Sequence, residues 1–139
     1  MAITQAFCNS AKTEILQGVH VIGTDALKIA LYTSTATLDA STTVYSTTNE
    51  VVGTGYTAGG NTLAGATVSL SGSTAIVDFS DTAWTTATIT ARGALIYNSS
   101  KSNKAIAVLD FGADKTSTAG TFTIVFPTYD ATNAIVRVV

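Results

Sequence analysis

The segment "VVGTGYTAGGN" (51–61) carries residue types and spacings that belong to phosphate chemistry. Gly53-Thr-Gly55-Tyr-Thr-Ala58 satisfies the relaxed dinucleotide pattern G-x-G-x-x-G/A, and Gly55 to Thr62 reads G-x-x-x-x-G-N-T, one residue away from a P-loop. Either chemistry needs a helix directly after the glycines, because the free N–H groups at its start hold the phosphate. These glycines lead instead into "NTLAGATVSLSG", which alternates with the period of a strand, and Asn61 stands where the P-loop lysine belongs. The segment is therefore read as a glycine turn or bulge at the rim of a sheet, with Tyr56 at its tip, and no cofactor is expected.

Other residue types that do chemistry are too sparse to cooperate. Cys8 is the only cysteine and His20 the only histidine. Twelve residues apart on or just after one helix, they would be separated by about 18 Å at helical rise and could not act as a nucleophile and its base. The reading is a core position for Cys8 and a helix C-terminus for His20. Asp78 with Asp81, and Asp110 with Asp114, are the nearest carboxylate pairs, and each sits at a strand end beside turn residues. Acids there hydrogen-bond their own backbone. "DFG" at 110–112 lacks every other kinase element, and "DFGADKTSTAG" lacks the alternating acids of a calcium loop. Neither a catalytic residue nor a metal ligand is assigned, and the chain is not read as an enzyme or as taking a small-molecule substrate. Three tyrosines in loop-like segments, Tyr45, Tyr56 and Tyr129, are candidate interface anchors. The alternative for each is that it packs on its own domain with its hydroxyl at the surface.

The elements that would position these residues are set by periodicity. Ile3, Phe7, Ala11, Ile15 and Val19 recur every four residues, which predicts an amphipathic helix over about 3–17, within an N-terminal helical segment 1–20, stopped by Gly18. From 26 onward the period is two. "ALKIALYT" predicts a half-buried strand, and "STATLDASTTVYSTTNE" (34–50) a Thr-rich surface excursion with at most a short strand at Val44-Tyr45. "GATVSLSGSTAIVDF" predicts a hairpin about Ser71-Gly72-Ser73, with Ala66, Val68, Leu70, Ala75, Val77 and Phe79 inward. "TITARGALIYN" and "KAIAVLDFG", joined by "SSKSN", read as central strands because both faces are apolar. "GTFTIVF" ends at Pro127, "NAIVRVV" supplies a last strand, and Trp84, Phe122 and Phe126 take core positions. The expectation is mainly β: one domain over 1–139, a β-sandwich or barrel of about seven or more mostly antiparallel strands over 26–139, with one N-terminal helix.

Composition bounds the partners. The chain has 139 residues, of which 12% are charged, about half the roughly 25% usual in globular proteins. Seven basic residues against nine acidic ones leave a net charge of −2, and the basic ones are scattered, so no nucleic-acid partner is expected. There is no apolar run of membrane-spanning length, and "MAITQAFCNSAKTEILQG" has no basic region followed by an apolar one, so neither a membrane nor a secretory signal is read. A weakly hydrated, Thr/Ser/Gly-rich surface suits contact with other proteins.

Several stretches resemble a group of small tailed-bacteriophage virion proteins: "LKIALYTSTATL", "TNEVVGTGYTAGGNTL", "AWTTATITARGALIYN", "AIAVLDFG", "GTFTIVFP" and the final "AIVRVV". The resemblance runs over nearly the whole chain in the same order. It implies a structural protein of the particle: a capsid decoration or cement protein bound in many copies to the major capsid protein, and to itself as a homo-oligomer. The alternative it implies is a tail- or fibre-associated module that binds a receptor or glycan. It also implies a place on the virion's capsid surface, after synthesis in the host cytoplasm and release by lysis.

Overall fold

A computed structural model describes residues 2–139. The alternating segments make two antiparallel sheets. In the larger, β1 (Ala6–Phe7), β2 (Leu27–Tyr32), β3 (Asn61–Thr62), β6 (Thr82–Asn98) and β7 (Lys104–Ile124) run in the order β1-β7-β6-β2-β3. In the smaller, β4 (Thr67–Ser71), β5 (Thr74–Asp78) and β8 (Val136–Val138) run in the order β4-β5-β8. Val77, Phe79 and Val136 of the small sheet and its flanks share one core with Ile29, Leu31, Ile89, Leu95 and Val108 of the large one. The fold is thus mainly β, a two-sheet sandwich with one short N-terminal helix, as the periodicity requires.

β6 and β7 occupy the middle for the reason their sequences give: Ala94 to Asn98 and Ala105 to Leu109 are buried on both faces. Beyond these stretches β7 does not end at "DFG" as expected. Gly93 pairs with Asp110 and Ala91 with Lys115, so five steps on β7 face two on β6, and the extra residues form a bulge. Asp110 Oδ1 fastens it, accepting from Gly112 N at 2.9 Å and from Arg92 Nε at 3.1 Å. Past the bulge the two strands continue as a ribbon with Trp84, Ala87, Ile89 and Ala91 turned inward and Thr85, Thr88 and Thr90 outward.

The N-terminal helix α1 is shorter than its periodicity predicts, Asn9–Leu16. Residues 3–7 are extended instead: Ile3 bridges Leu38, and β1 pairs Ala6 with Val108 and Phe7 with Ala107. A spacing of four puts side chains on one face of a helix and equally of a strand, since four is even, so Ile3 and Phe7 fit both. The available partners decide: Thr4 N bonds Leu38 O at 2.8 Å and Cys8 N bonds Ile106 O at 2.8 Å. At the other end Gly18, at φ 72, closes a Schellman motif, with Gly18 N on Ile15 O and Val19 N on Glu14 O.

The 34–50 segment runs over the surface, with Val44 in a bridge where a short strand is expected. It is tied down by bridges from Leu38 to Ile3, Val44 to Lys104 and Glu50 to Tyr32, and it buries Ala36 and Leu38. One further expectation changes. In the hairpin, Val68 and Leu70 do share a face with Val77 and Ala75, their register partners, yet they are 54% and 70% exposed. The pattern sets the face correctly, but β4 lies at the edge of the small sheet, beyond the cover the large sheet provides.

Candidate functional site

The glycine segment lies flat on the large sheet. A Cβ at Gly60 would overlap the Ile29 carbonyl, one at Gly53 would overlap the Thr88 carbonyl oxygen, and one at Gly55 would come within 2.8 Å of Ala87 Cα. These glycines allow backbone to touch backbone, and the space a phosphate would need is filled by β2 and β6. Asn61, in the place of a P-loop lysine, bonds Thr82 Oγ1 and the Ala83 carbonyl through Nδ2.

Glu50 organises this segment. It is 6% exposed, and no cation lies within ion-pair distance among the described residues. A buried carboxylate without an ion pair needs hydrogen bonds, and three donors converge on it: Tyr45 Oη at 2.7 Å, Tyr56 Oη at 2.6 Å and Gly59 N at 2.7 Å. Tyr56 Oη also accepts from Leu31 N at 2.9 Å, and Tyr97 Oη donates to the Gly59 carbonyl at 2.7 Å. The Tyr45 and Tyr97 rings stack, with centroids 4.5 Å apart. Burial first, and then the hydrogen bond to Glu50, hold the Tyr45 and Tyr56 hydroxyls above the ordinary tyrosine range. Burial and the same negative charge push Tyr97 up to about 12. The cluster is a clasp that pins residues 50–61 to the sheet.

Two of the three tyrosines singled out from the sequence therefore meet at one carboxylate, half-buried, with their hydroxyls turned to the protein. Tyr129 stands apart on the small sheet, where its hydroxyl bonds Ser69 Oγ at 2.8 Å. Glu50 itself went unrecognised, although one signal points to it: it is the sole charged residue between Asp39 and Asp78, with Tyr45 and Tyr56 on either side.

Cys8 immediately precedes α1 and is fully buried, and burial pushes its thiol up to about 11, which keeps it protonated and unreactive. His20 is buried beyond the end of α1, with Nδ1 accepting from Asn98 Nδ2 at 3.0 Å and Nε2 facing Glu14 Oε1 at 3.5 Å. Asn98, also fully buried, gives its second amide hydrogen to Asp25 Oδ2 at 2.7 Å and takes Ser100 N on its oxygen. Lys104 pairs with Glu14 at 2.8 Å. This polar link joins the end of α1 to the β6–β7 turn. Asp110 accepts from Gly112 N, the local backbone role expected of a turn acid, whereas Asp81 accepts from Phe126 N, 45 residues away, and so ties two distant segments together instead. Among the described residues no group of three or more His, Cys, Asp or Glu side chains could hold a metal ion, and no helix is long and apolar enough to cross a membrane.

The feature suited to binding is apolar. Leu16 is 88% exposed and Val139 97%. With Val68 and Val138 they border two adjoining grooves between α1 and the inner face of the small sheet, floored by Ile15, Ile22 and Ala75, and the exposed Leu70 lies opposite Ala75 in the hairpin register. Comparison with protein families, with curated proteins and with solved structures found no match for this chain.

Proposed function

We propose that this protein is a structural component of a bacteriophage particle, a decoration or cement protein that binds the outer surface of the major capsid shell in many copies. The observation that carries the reading is the uncovered apolar surface formed by Leu16, Val68, Leu70, Val138 and Val139 on a body with few charges. Contiguous exposed apolar residues rimmed by polar ones mark protein contacts. A surface of threonine and serine surrenders little hydration when a neighbour covers it. The clasp at Glu50 and the central pairing of β6 and β7 keep the body rigid, so little ordering is needed on binding. Modest contacts repeated over a symmetric shell then hold by avidity. The resemblance to small virion proteins supports the same reading. Synthesis in the host cytoplasm and release by lysis belong to this proposal.

The test is binding of the purified chain to assembled empty heads, with the copy number counted on a denaturing gel. A number set by the capsid lattice, in the hundreds per particle, is the expected result. Binding to host cells or glycans with none to heads overturns it.

A further inference from the structure

β4 is the outer strand of the small sheet, and it lacks the usual protections of an edge. Natural edges carry a charge, a proline or a bulge that prevents pairing with another chain. From Ala66 to Val77 there is no charged residue and no proline, and β4 pairs with β5 without interruption from Thr67↔Asp78 to Ser71↔Thr74.

The direction of its free backbone groups is fixed by the hairpin. Gly72, at φ 62, and Ser73 form a two-residue loop, so Ser71 and Thr74 exchange both backbone bonds, as do the alternate pairs Ser69↔Ile76 and Thr67↔Asp78. The N–H and C=O groups of Val68 and Leu70 point the other way, to the open edge.

We infer that β4 pairs with the β4 strand of a second copy of this chain, antiparallel about a two-fold axis through Ser69. In that register Val68 of each copy faces Leu70 of the other, and the outward groups of these residues make four N–H···O bonds. The sequence "TVSLS" is self-complementary about its centre: apolar side chains meet on one face, while Thr67 meets Ser71 and Ser69 meets Ser69 on the other. With no charge in the strand, no like charges are opposed. The two small sheets become one of six strands in the order β8-β5-β4-β4-β5-β8, and the interface is isologous and closed. Tyr129, bonded to Ser69, then stands beside the axis. This pairing rests on strand geometry and does not depend on the virion reading.

Sedimentation equilibrium of the whole chain is expected to give twice the 14.2 kDa mass of one copy. The Val68→Lys/Leu70→Lys variant sets lysines opposite one another and is expected to dimerise about tenfold more weakly or less. The Val68→Glu/Leu70→Lys variant sets opposite charges across the axis and is expected to dimerise. Both positions are exposed, and circular dichroism checks that each variant is folded. On the axis, Ser69 faces its own counterpart in a pair without backbone bonds, at about 4.5 Å between Cα atoms, within disulfide range. The Ser69→Cys variant should give a covalent dimer on a non-reducing gel, and Ser71→Cys, which faces Thr67, should not. A single-chain mass for the wild type, equal loss in both charge variants, or equal cross-linking by both cysteine variants overturns the inference.

Discussion

Replacing Glu50 with alanine removes the acceptor from two tyrosine hydroxyls and the Gly59 N–H at once. Hydrogen bonds to a charged acceptor are worth about 1.5–3 kcal/mol each and are not additive, so Glu50→Ala should lower unfolding free energy by about 3 kcal/mol in urea denaturation. The same cluster sets a limit in alkali. Tyr32, Tyr45, Tyr56 and Tyr97 all have folded-state hydroxyl pKa values raised, chiefly by burial, so the folded state favours the neutral form. Their contribution to stability is complete below the ordinary tyrosine value of about 10 and is lost as pH rises through the higher folded values. Alkaline titration should therefore show tyrosinate absorbance from these residues rising together with loss of the fold, in one cooperative step. The glycines separate by environment. Gly60→Ala combines φ 72 with overlap of the Ile29 carbonyl and should cost about 3 kcal/mol or more, whereas Gly112→Ala, at φ 79 with open space around it, should cost about 1 kcal/mol. Thermal melts of the two variants check the difference.

Among the elements, the two halves of the sandwich differ in what their side chains contribute. Leu95 on β6 is fully buried between neighbouring strands, while Val68 on β4 is 54% exposed although both sit in alternating β sequence. Truncating Leu95 to alanine leaves a cavity and should cost about 3 kcal/mol, and Val68→Ala should stay within about 0.5 kcal/mol in the same urea titration. Sequence patterning is legible for β2, β5, β6 and β7 because each carries a run of apolar residues at the right period. It is ambiguous for residues 3–7, where a spacing of four suits a helix and a strand alike, and the free edges of Leu38 and Val108 settle the matter. "DFG" reads as a strand end because an acid and a glycine mark turns. The bulge it forms instead depends on Arg92, 18 residues away in sequence, to hold Asp110.

For the whole molecule, the distribution of exposed apolar residues matters more than any motif. Leu16 contributes nothing to the core at 88% exposure, so Leu16→Asp should leave the melting temperature unchanged and weaken binding to empty heads by about tenfold or more, as measured by co-sedimentation. An unaltered affinity would place the attachment surface elsewhere on the protein.

The sequence by itself determined the class of fold, the central strands, the end of α1 at Gly18 and the failure of both phosphate motifs, because periodicity, glycine position and the absence of a helix after the glycines are local properties. Only the tertiary structure decided what those local features meet. It brought Tyr45 and Tyr56 to Glu50, set the glycines of 53–60 against Ile29, Ala87 and Thr88, and left Val68 and Leu70 uncovered. The physical reason is that an alternating pattern fixes which face a side chain takes, while whether that face is covered depends on where the strand lies in its sheet and on what chain distant in sequence comes to rest on it.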